Sequence, residues 1–111
     1  MEINKITLPD YTYLVNLNGG RYFTNDYSGS VGTVSGEGCL GFPTFNYYVH
    51  ADVSSGEEEE FRFFVRCYAL SSWKEGGKIT REDSAEFPYS PDVVSVLEKW
   101  LTDKALEYQF I

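Results

Sequence analysis

With 111 residues, 17 acidic and nine basic side chains and a formal charge of −8, the chain has the size of one ordinary acidic domain, long enough to bury a core without a disulfide or metal staple. At 42% hydrophobic and 17% aromatic it is too rich in large apolar groups to stay disordered. No stretch approaches a membrane span, and Met1 to Lys5 do not lead into an apolar run. The expectation is a cytoplasmic protein without membrane contact, in which Cys39 and Cys67 stay free and reduced.

In chain order, Tyr11 to Leu17 is aromatic and branched and reads as a strand. Asn18-Gly19-Gly20 is a turn signal, and Arg21 to Thr24 completes a first hairpin. Residues 28 to 43 carry Gly29, Gly32, Gly36, Gly38 and Gly41 and end at Pro43. They read as a glycine loop with one short strand near Val31 to Val34.

Residues 45–53 and 61–70 then alternate with the two-residue period of strands. Phe45, Tyr47, Val49, Ala51 and Val53 share one face of the first strand. Phe61, Phe63, Val65, Cys67 and Ala69 share one face of the second. Ser54-Ser55-Gly56 supplies the turn between them. Matching apolar faces requires paired residue numbers with an even sum. The sum that sets Val53 against Phe61 and Val49 against Val65 also sets Asp52 against Arg62 and Tyr48 against Arg66. Glu57, Glu58, Glu59 and Glu60 then fall at the hairpin tip, expected fully hydrated because adjacent like charges repel.

Beyond it, Lys74 to Lys78 reads as a turn, Ile79 to Arg81 as a short strand, and the residues through Pro88 as a polar connection. Ser90 as N-cap, Pro91 in the first helical position and Asp92 at the positive end of the dipole start a helix over 91–108. Its apolar stripe is Val94, Leu97, Leu101, Ala105 and Tyr108, widened by Val93 and Trp100. An antiparallel sheet of about four to six strands, packed by this one helix, buries the stripe most simply. The fold class is therefore α+β, as a single domain over 1–111.

Several chemistries are disfavoured. Gly36-Glu37-Gly38-Cys39-Leu40-Gly41 has the G-x-G-x-x-G spacing, but Phe42-Pro43 follows where a helix must begin, and Glu37 would repel phosphate. His50, the single histidine, falls on the opposite strand face from Cys67, so no thiolate–imidazole pair is expected. The cysteines and His50 lack zinc-ligand spacing, and four consecutive glutamates do not fold around calcium. Arg62 and Arg66 alternate with Phe64 and Tyr68, which would suit base stacking. The overall charge opposes nucleic acid at long range. The expectation is no enzyme, no cofactor, no metal and no direct nucleic-acid binding.

Charge segregation points elsewhere. From Tyr22 to Phe61 there are seven carboxylates, eight aromatic residues and no Lys or Arg, a surface suited to a basic partner. The candidate partner-binding residues are Asp52, Glu57, Glu58, Glu59 and Glu60, with Tyr47, Tyr48, Phe64 and Tyr68 supplying aromatic area. The functional expectation is an acidic protein-interaction domain that docks on a basic surface, including one that otherwise holds nucleic acid. Small acidic inhibitors from phages and mobile elements and toxin-neutralising immunity proteins work in this general way. A second copy of the chain is the other protein occupant that such aromatic area suits. The alternative is a small-molecule or peptide-binding module, in which the glycine loop 29–41 and the aromatic strands form a pocket.

Overall fold

A computed structural model describes residues 6–32, 44–71 and 76–110. In chain order it contains a helical turn α1 (Tyr11–Leu14), strands β1 (Val15–Asn18), β2 (Arg21–Thr24), β3 (Tyr27–Gly32) and β4 (Thr44–Asp52), and a 3-10 turn at Glu58–Glu60. Strands β5 (Arg62–Leu70) and β6 (Ile79–Pro88) and helix α2 (Val93–Glu107) follow. β1 and β2 form a two-stranded sheet, and β3-β4-β5-β6 form a four-stranded antiparallel sheet in that spatial order. The fold is α+β.

The long hairpin has the anticipated register. Val49 faces Val65, Tyr48 faces Arg66 and Asp52 faces Arg62. A slip of one residue would turn every side chain to the wrong face. In this register Phe45, Val49, Ala51, Phe63, Val65 and Cys67 are all buried, as are Val93, Leu97, Leu101 and Ala105 of α2. These four recur every fourth residue, so α2 presents one narrow apolar stripe to the sheet. The stripe is centred on Val93 rather than Val94, which is only partly buried.

The N-terminal segment lies along the same helix. The Ile6 amide donates to Thr102 Oγ1 at 3.0 Å and the Leu8 amide to Glu98 Oε2 at 2.7 Å. Leu14 and Val15 add to the core, and Tyr22 meets Phe61 edge-on with ring centroids 4.9 Å apart. Helix, N-terminal segment and small hairpin thus contribute to one hydrophobic cluster with the inward side chains of the large sheet.

Four expectations are corrected. Tyr11 to Leu14 is a helical turn, not the start of a strand. The Tyr13 and Leu14 amides donate to the Asp10 carbonyl at 2.9 and 3.4 Å, and the Tyr11 ring packs on Phe63 and Tyr89. Only Val15 onward pairs with β2, across a two-residue turn in which Gly19 and Gly20 both take positive φ, as a type I′ hairpin requires. Next, Gly29 belongs to β3, which begins at Tyr27, earlier than the expected strand; residues 33–43, with Val34, Cys39 and the glycine motif at 36–41, lie outside the described residues. Third, the strand at Ile79 continues through Pro88 and pairs with all of β5. Its charged residues Arg81, Glu82, Asp83 and Glu86 disguise a sheet edge as a polar connection, and such charges are how exposed edges resist further pairing. Last, α2 starts at Val93, with Asp92 in the N-cap position but making no side-chain capping bond. Pro91 sits in the preceding turn, where Ser90 Oγ donates to Asp92 Oδ1 at 2.9 Å.

The end of α2 yields a first prediction. The Phe110 amide donates to the Ala105 carbonyl at 2.8 Å and the Gln109 amide to Leu106 at 3.0 Å, the bond pair of a Schellman cap. That cap places Gln109 at φ 69°, where a Cβ is strained and glycine is not. Gln109→Gly is expected to raise stability by about 1 kcal/mol, measured by urea denaturation.

Candidate protein-docking face

Alternation along the four strands puts a second set of side chains on the outer face. One row runs Ser28–Tyr48–Arg66–Ser84, and the next runs His50–Phe64–Glu86. Tyr48 is 39% and Phe64 37% exposed, large values for aromatic rings in the middle of a sheet. His50 stacks beside Phe64, with centroids 6.1 Å apart and planes 29° apart. Tyr68 lies one row further along, half-buried under the Arg66 guanidinium, which sits 4.8 Å from its ring centroid. Three of the four aromatic candidates therefore share this face. Tyr47 does not. It is 8% exposed and packs inward against Tyr27 and Phe45, so its place is the core.

The acidic candidates separate in the same way. Asp52 lies opposite Arg62 but is not its ion-pair partner. Asp52 Oδ1 accepts the Ser54 amide at 2.9 Å, which closes the hairpin turn, and the bonds from Ser54 hold its carboxyl below the usual range. Arg62 instead reaches Glu86 on β6, Nη1 to Oε2 3.7 Å. At the tip, Glu57, Glu59 and Glu60 are exposed as expected. Glu58 is half-buried and accepts the Tyr11 hydroxyl at 2.8 Å, a departure from full hydration. Burial first and Glu58 second hold the Tyr11 hydroxyl well above its ordinary pKa. A carboxylate used in this way is part of the fold. Tyr11→Phe is expected to cost about 1 kcal/mol through the lost charge-assisted bond, whereas Glu59→Gln should leave the thermal melt unchanged.

Asp26, which the sequence places only within the acidic tract, proves central. Its Oδ2 accepts the Tyr48 hydroxyl at 2.5 Å and its Oδ1 meets His50 Nδ1 at 2.7 Å. These two bonds, Tyr48's the stronger influence, lower the Asp26 pKa, and the same carboxylate raises that of Tyr48. The cluster fixes three side chains at the edge of the outer face. Its place follows from the β3 register, which the sequence does not reveal: Tyr27 pairs with Val49, so the next position outward sets Asp26 beside His50.

The two arginines on the face differ in how firmly they are held. Arg66 holds Glu82, Nε to Oε2 2.7 Å, and Arg62 is drawn to Glu86. Between Tyr48, Phe64, Arg66 and Glu86 lies an open groove of about 420 Å³ over Ser84 and Ala85.

Elsewhere, Cys67 is fully buried, and desolvation raises its thiol pKa. It points to the α2 side, where its Sγ lies 3.7 Å from the Tyr108 hydroxyl, which donates to Asp83 at 2.5 Å. His50 is on the other face, so the two do not meet. Among the described residues no group of three or more His, Cys, Asp or Glu is placed to hold a metal ion, and no helix is long and apolar enough to cross a membrane. For the small-ligand alternative, Gly29 is not a loop residue but lies against Tyr47 in the sheet, while 33–41 fall outside the described residues. Comparison of the chain with protein-family models, with curated proteins and with solved structures gives no match.

Proposed function

We propose that this chain is a protein-interaction domain that docks on a basic surface of a partner protein, using the outer sheet face and the acid-rich end beside it. The observation that carries this reading is the one-sided packing of the sheet. The helix and the small hairpin join its inner face in a single core, and the outer face presents Tyr48 and Phe64 to solvent.

Charge then selects the partner. Arg62 and Arg66 are drawn to Glu86 and Glu82, while Asp52, Glu57, Glu59 and Glu60 extend the same end with negative charge and no Lys or Arg in the intervening sequence. The local field steers a positively charged surface toward the aromatic area. A groove that otherwise binds nucleic acid is the partner class best matched, with carboxylates standing in for phosphates, and the domain acts as its competitor.

The test is retention of proteins from lysate of the natural host on the immobilised domain, beside a variant carrying Asp52→Asn, Glu57→Gln, Glu59→Gln and Glu60→Gln. Support is a partner released by added polynucleotide and lost from the variant, whose circular dichroism stays native. Equal retention by both proteins contradicts the reading.

A further inference from the structure

The groove beside Phe64 has a more specific chemistry than general acidity, and we infer that it is the subsite for one arginine side chain of the basic partner. This rests on the docking face proposed above.

The groove exists because β6 places the short Ser84 between Glu82 and Glu86 on the outer face, and because Arg66, directly opposite Ser84, turns away from it. Arg66 is held by Glu82 and lies over Tyr68, in the neighbouring row, which leaves the space next to Phe64 open. The groove is lined by the rings of Tyr48 and Phe64, by Arg66, whose charge is paired with Glu82, and by Glu86. Glu86 has a loose partner. Its 3.7 Å approach to Arg62 is too long for a hydrogen bond, so its carboxylate keeps acceptor capacity for a better-placed donor.

An aromatic wall meeting a carboxylate matches a guanidinium. The planar cation stacks on a ring while its fork donates two parallel bonds to the carboxylate, and it sheds water more readily than an ammonium. Arg62, released from Glu86, has Asp52 as its direct cross-strand neighbour, so the exchange does not strand its charge. The volume of about 420 Å³ accommodates a single long side chain beside the two rings.

The experiment is a titration of the isotopically labelled full chain with hexa-arginine and hexa-lysine peptides at matched ionic strength, followed by amide NMR shifts. The expected result is saturable shifts at Phe64, Ser84, Ala85 and Glu86, with arginine bound roughly five-fold more tightly than lysine. Glu86→Gln and, separately, Phe64→Ala should abolish that preference while the remaining spectrum keeps its dispersion. Equal binding of the two peptides, or shifts confined to Glu57 to Glu60, overturns the arginine subsite and leaves acidic docking standing. No shift with either peptide counts against both.

Discussion

Leu97→Ala is expected to destabilise the domain by about 2 to 5 kcal/mol. Leu97 has no exposed surface and lies midway along the stripe Val93, Leu97, Leu101 and Ala105. Truncation removes apolar burial and leaves a cavity whose walls belong to a helix and a sheet, neither of which collapses freely. For a domain of this size the thermal midpoint should fall by roughly 10 °C or more. The outer face is untouched, so any function carried by it should survive below the new midpoint. A melt within a degree or two of the native one would mean that α2 does not pack as described.

Gly29→Ala is the second large effect. A Cβ built at Gly29 would lie 2.4 Å from the Tyr47 hydroxyl oxygen and 2.6 Å from its Cζ. The two residues face each other across β3 and β4, and the Tyr47 ring covers the glycine, a device that gives a glycine in a strand something to pack against. The contacted atoms are the end of a side chain, but the ring is pinned by Tyr27 and Phe45 and cannot swing aside cheaply. The expected cost is about 1 to 3 kcal/mol, partly offset by the lower entropy of alanine in the unfolded chain. Tyr47→Leu in the same chain should recover part of it. Strict additivity of the two substitutions in a double-mutant cycle would contradict the contact.

What the sequence revealed follows from how local each signal was. The long hairpin was legible to its register because two period-two patterns and the Ser54-Ser55-Gly56 turn left one pairing that made sense on both faces. Helix α2 was legible from its stripe, though its start slipped by two residues because Ser90 and Asp92 are both good caps. Tyr11 to Leu14 was misread because a short apolar run is ambiguous between helix and strand, and the Tyr11 contact with Phe63 settles it from far along the chain. β6 was truncated because edge strands conceal themselves with charge. Within the site, Tyr48, Phe64 and Tyr68 were found by alternation, and the same alternation assigns Tyr47 to the core. The Asp26 cluster required β3 to start at Tyr27, which glycine-rich composition obscured. The Arg62 partner was missed because a diagonal neighbour on an unforeseen strand competes with the residue directly opposite.

The central claim is that the outer face and its acidic end form one docking surface, and the rate of association with a captured basic partner tests it most directly. Measured across a range of salt concentrations, the native chain should associate fast at low salt and slow steeply as salt rises. The variant neutralised at Asp52, Glu57, Glu59 and Glu60 should start roughly ten-fold or more slower with a flattened dependence. Equal rates and equal salt slopes for the two proteins would contradict the account and leave the acidity to solubility alone.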